Sequence, residues 1–178
     1  INVTDGTLGV TYAQLSANAA ALNKVDAATT LTVTDVPADG AQGVNGRTAF
    51  LGGASISSFV LSDDSDAIFG NASTLTTLEG LNKLVGVHLT DASALNKPTI
   101  TLSDAQIVAA QPLLSKIEAA DDYTLVISDE VSAGHVSALL PVMGHLGANS
   151  VTVEGTASGV GGVLSGLTAL ASKLNQIN

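Results

Sequence analysis

A five-residue pattern recurs along this chain: an apolar residue, any residue, an apolar residue, Thr or Ser, then Asp. It stands at Ile1–Asp5, Leu31–Asp35, Phe59–Asp63, Val87–Asp91, Ile100–Asp104 and Leu125–Asp129, and in degenerate form at Val151–Glu154. The acids fall at positions 5, 35, 63, 91, 104, 129 and 154, so the steps between them are 30, 28, 28, 13, 25 and 25 residues. Self-similarity at such periods belongs to repeat architectures, where one unit cannot bury its apolar face until a neighbour stacks on it.

Within each copy the apolar residues alternate with other types, the period of a half-buried strand. Ile1/Val3, Leu31/Val33, Phe59/Leu61, Val87/Leu89 and Leu125/Ile127 are expected to face helices. Thr32, Thr34, Ser62, His88, Thr101 and Ser128 are expected to face outward, with Val60 and Val126 interrupting the polar rows. Such one-sided alternation argues against a doubly wound sheet, whose strands are apolar on both faces. Strands 25 to 30 residues apart leave room for a helix between them and therefore run parallel. The 13-residue step is too short for a helix and predicts two strands joined by the loop Ser93–Pro98.

Helices are expected at Ala13–Val25, Leu75–Leu84, Ala105–Ile117, Val136–Leu146 and Val163–Ile177, each with Leu, Ile, Val or Ala at three- and four-residue spacing. The weakest helical pattern lies over Pro37–Ile56, anchored by Val44, Phe50 and Leu51. A longer repeat sits above these. Ile1–Gly40 aligns with Val87–Gly134, matching Gln14 to Gln106, Leu15 to Ile107, Leu22 to Leu114 and Lys24 to Lys116. This makes Leu8–Tyr12 a strand as well. The super-repeat spans roughly 86 to 94 residues. The expected fold is an α/β repeat solenoid, with a mostly parallel sheet on one face and helices on the other. Residues 1–178 then form one repeat domain of about two super-repeats, 1–86 and 87–178.

Composition suits thin layers. Hydrophobic residues make up 46% of the chain, but aromatics only 3%, with no Trp or Cys and 18 Gly, so the core must be built of small and branched aliphatics. Sixteen acids against six bases give a net charge of −10, and Arg47 is the one arginine. A polyanion such as nucleic acid would be repelled, since its recognition needs many basic contacts to phosphate, and an anionic membrane surface is disfavoured for the same reason. No run of 18 apolar residues suggests membrane insertion. The chain opens INVTDG without Met or a basic segment, and is expected to be a mature or excised piece of something larger.

The recurrent Asp has a structural reading and a chemical one. As a turn or helix cap it accepts backbone N–H groups within its own repeat. As a column of carboxylates it binds cations. Asp63, Asp64 and Asp66 are the calcium candidates, because hard cations gather carboxylate oxygens, and a solvated acidic turn is the default. The cluster lacks the Gly and Glu of an EF-hand loop and the glycine-rich nonapeptide of β-rolls. Asp121-Asp122 is a lesser candidate.

His88, His135 and His145 lack the spacing of a helical ligand pair and are expected as surface or edge histidines. No Gly-x-Ser-x-Gly elbow is present, though Ser, His and Asp could still meet in the fold. The glycine-rich run Gly155–Gly166 lacks a phosphate-loop lysine and is expected to be a loop or a loose helix start. Thr30, Thr32 and Thr34 form one Thr-x-Thr row, but the outward columns are too irregular for an ice lattice.

The pieces VHLTDA, ITLSDAQIVAAQPLLSKI and YTLVISDEVSAGHVSALLPVMGHLGANSVTV, with VTYAQLSANAAALNKV and TLTVTDV earlier, resemble the strand–helix repeats of very large bacterial surface proteins. The resemblance covers most of the chain and is faintest over Pro37–Ser57. It implies a type-I-secreted, S-layer-like or adhesin-like protein, exported to the cell surface, structural or adhesive in role and with possible calcium dependence. It carries no catalytic residue. The leading expectation is a non-enzymatic surface-layer, filament or adhesin segment that self-associates with other copies or stacks on adjacent repeats. Its contact ends would be the strand Ile1–Asp5 and the helix Val163–Ile177. The alternatives are a carbohydrate- or protein-binding surface module, a calcium-dependent adhesin, and an enzyme with paired carboxylates in a cleft. Tyr12 and Tyr123 are too far apart in sequence to suggest an aromatic binding patch.

Overall fold

The computed structural model describes residues 6–26, 28–41, 55–79 and 82–178. The chain is α/β. Its described residues divide into two compact units, one running to Thr90 together with Lys116–Glu118, the other comprising Asp91–Ser115 and Ala119–Asn178.

The first unit carries β1 (Thr7–Thr11), α1 (Tyr12–Ala17), α2 (Ala19–Leu22), β2 (Thr30–Val36), β3 (Ser55–Asp63), α3 (Ser65–Gly70), α4 (Ala72–Glu79) and β4 (Leu84–Leu89). The four strands form one sheet in chain order, β1-β2-β3-β4, and each pair is parallel. Helical backbone over 38–41 follows β2. The second unit carries β5 (Thr99–Leu102), α5 (Asp104–Leu114), β6 (Thr124–Ile127), β7 (Val131–Ser132), α6 (Val136–Leu139), β8 (Val151–Glu154), α7 (Ala157–Gly162), α8 (Leu164–Ala169) and β9 (Leu174–Ile177). Here β5 pairs with β6 and β8 lies between β7 and β9, again all parallel and in chain order.

Register explains the burial. Leu8 lies beside Leu31 and Val10 beside Val33; Leu61 lies beside Val87; Ile100 lies beside Leu125 and Leu102 beside Ile127. Leu31, Val33, Phe59, Leu61, Val87, Leu89, Ile100, Leu102, Leu125, Val151 and Val153 are all buried, as the alternation predicts. Burying one such side chain fully contributes about 1.5–3 kcal/mol. Between them Thr34, Thr99 and Thr101 are exposed and Thr32, Ser62 and His88 half-buried. These parallel strands therefore bury one face and leave the other open to water. β-Branched residues at both kinds of position suit a half-buried pleated surface.

Several expected helices are shorter than their apolar spacing suggests. Ala13–Val25 breaks into α1 and α2 at Asn18, whose side-chain amide donates to the Gln14 carbonyl at 3.0 Å. Leu75–Leu84 ends early: α4 stops at Glu79 and Leu84 opens β4, with Asn82 in the left-handed region at φ 54°. Val136–Leu146 is α-helical for one turn and then tightens to 3-10 geometry over Leu140–His145, where Pro141 has no N–H to continue an α ladder. The last expected helix, Val163–Ile177, is corrected most. Only Leu164–Ala169 is helical within it, and Leu174–Ile177 is strand β9, with Leu174 beside Val151 and Ile177 beside Val153. Spacing of 167, 170, 174 and 177 fits a helix, but partner β8 offers a ladder. The Lys173 ammonium also fixes the approach by donating to the Leu146 carbonyl at 2.6 Å. Val44, Phe50, Leu51 and the strand expected at Ile1–Asp5 lie outside the described residues.

Candidate functional site

Among the described recurrent acids, Asp91, Asp104 and Asp129 stand two residues past a strand, Asp63 and Glu154 end one and Asp35 lies near the end of β2, and two of them do more than cap their own repeat. Asp63 ends β3. Its Oδ2 accepts from the Ala38 N–H at 3.0 Å, the first amide of the helical turn after the neighbouring strand β2. Asp129 follows β6 and acts in the same way: its Oδ1 accepts at 2.7 Å from the Asp104 N–H, the first amide of α5 after the neighbouring strand β5. Both bonds span 25 residues. The opening amides of a helix lack partners within it and carry the positive end of its dipole. In these two cases the carboxylate that satisfies one comes from the next strand. The expectation that each Asp is satisfied inside its own repeat is corrected at Asp129 and, for one of its two oxygens, at Asp63, whose Oδ1 does accept from its own Asp64 N–H at 2.9 Å. The reason is geometric: parallel strands in register put the end of one strand beside the start of its neighbour's helix.

The caps within each repeat are other residues. Thr11 and Gln14 form a reciprocal pair, Gln14 N–H to Thr11 Oγ1 at 3.1 Å and Thr11 N–H to Gln14 Oε1 at 2.9 Å. Ser103 and Gln106 repeat it in α5, at 3.2 and 2.9 Å. Asp64 caps α3, its Oδ1 accepting from Ala67 N–H at 2.7 Å, and Thr156 caps α7. The sequence signal was available in Thr-x-x-Gln and Ser-x-x-Gln, the capping-box spacing.

Of the calcium candidates, Asp63 therefore uses Oδ2 on Ala38 and Oδ1 on the Asp64 amide at 2.9 Å, and Asp64 uses Oδ1 on Ala67. Asp66 lies in the first turn of α3, where a negative charge faces the favourable end of the dipole. The three acids are brought together by their sequence neighbourhood, and two of them are committed to backbone amides.

A second acidic centre was not visible in the sequence. Asp104 Oδ2 accepts from Ser132 Oγ at 3.0 Å and lies 2.8 Å from His135 Nδ1. Asp104 is mostly buried, and its Oδ1 is buried with no hydrogen-bond partner among the described residues. Ser, His and Asp do meet here, in an order unlike a nucleophilic relay. The carboxylate sits between hydroxyl and imidazole, so the serine proton points at Asp104, whereas a serine nucleophile hands its proton to histidine. What the arrangement does is tie the turn at Ser132–His135 to the first turn of α5. An open cleft beside it is lined by Ser132, Gly134, Glu154, Gly155 and Asn178.

The other histidines also have neighbours. His88 Nδ1 lies 3.8 Å from Glu118 Oε2, both half-exposed. His145 stacks flat on Tyr123, with ring centres 3.8 Å apart and planes 7° from parallel, and its Nδ1 contacts the Tyr123 carbonyl at 3.1 Å. Burial pushes the Tyr123 phenol up to about 12. Beside it Lys97 pairs with Asp122 and, by hydrogen bond first and charge second, holds that carboxyl below its ordinary value. Among the described residues no helix is long and apolar enough to cross a membrane. Compared with protein-family models, curated proteins and solved structures, the chain matches none.

Proposed function

We propose that this chain is a structural segment of an extracellular bacterial surface-layer, filament or adhesin protein, a solenoid of strand–helix coils that works by presenting a rigid acidic surface. The carrying observation is the strand-end aspartate that caps the neighbouring coil's helix, at Asp63 and again at Asp129. A bond from each coil to the one before it is what a stacked scaffold needs and what a freely standing unit does not. Strand order that follows chain order, with parallel pairing throughout the named strands, supports the same reading. So does a sheet face left open along its Thr and Ser positions. In this reading the partners are adjacent repeats or further copies of the chain, because a coil at the end of a stack leaves an unpaired strand edge. The resemblance to secreted repeat proteins supplies the location. The acids at 63, 64 and 66 act as turn and cap residues, and the Ser132–Asp104–His135 group as a tie between elements.

Small-angle scattering with sedimentation velocity on the purified chain tests this. The expected result is an elongated particle whose mass grows with concentration. A compact particle that remains monomeric at the highest concentration reached would overturn it.

A further inference from the structure

We draw no further inference here: the strongest candidate, the outer edge of the last strand Leu174–Ile177 with the exposed side chain of Ile177, is an unpartnered apolar face, and nothing in the structure shows what covers it.

Discussion

An aspartate at or just past the end of a strand can turn its carboxylate back onto its own chain or across onto the neighbour's. Asp63 does both, with one oxygen on Asp64 N–H and the other on Ala38 N–H; Asp129 reaches across to Asp104 N–H. Replacing either by Ala removes a charged acceptor from a helix's first amide and should cost about 0.5–2 kcal/mol, the range for losing a helix cap. Asn keeps an acceptor oxygen without the charge, so Asp129→Asn should cost less than Asp129→Ala in urea unfolding. No loss in either variant would show that the bond to Asp104 contributes nothing. Tyr123 gives a residue-scale test against pH. Its phenol is raised in the folded state from 10.0 to about 12 by burial. The neutral form is thus favoured by folding: the contribution is full below pH 10 and is lost as pH rises toward 12, on the order of 2 kcal/mol in total. Tyr123→Phe should unfold with a flatter dependence than the parent between those limits. Parallel curves for the two proteins would mean the phenol stays as accessible folded as unfolded.

At the scale of elements, close packing of small residues sets what can be substituted. A Cβ on Gly155 would stand 2.8 Å from the Ala133 Cβ, a contact that backbone-borne atoms cannot relieve by rotating. Gly155→Ala should therefore destabilise by about 1–3 kcal/mol, as overpacking does. Adding Ala133→Gly should return part of the loss, and a thermal-melt double-mutant cycle with no coupling would refute the contact. The elements themselves were legible in the sequence to different degrees. Strands were, because Leu31, Val33, Leu61, Val87 and Leu125 alternate and only one face is buried. Helix starts were readable from Thr11-x-x-Gln14 and Ser103-x-x-Gln106. Helix ends were not. Leu174 and Ile177 keep helical spacing from Leu167 and Leu170, and only the presence of β8 makes them a strand. The Asp104–Ser132–His135 group could not be read at all, since its members lie 28 and 31 residues apart and meet only through parallel register.

For the whole molecule, net charge decides how stacking must respond to salt. Each copy carries −10, so two copies approaching end to end repel before any strand edge or aliphatic side chain meets. The screening length falls from about 30 Å at 0.01 M ionic strength to about 8 Å at 0.15 M. If the contact is apolar and hydrogen-bonded, as the proposed reading requires, association should strengthen over that range, with the sedimentation-derived dissociation constant falling severalfold. A contact carried by ion pairs would weaken instead, and that outcome would remove the stacked-coil explanation. Calcium separates general screening from a specific site. At matched ionic strength calcium and magnesium should act alike on mass and melting temperature, because both oxygens of Asp63 and one of Asp64 already accept from backbone amides. A melting temperature raised by calcium alone, and lost on substituting Asp66 by Asn, would mean that the acidic turn trades those amides for a cation and that the adhesin reading depends on it.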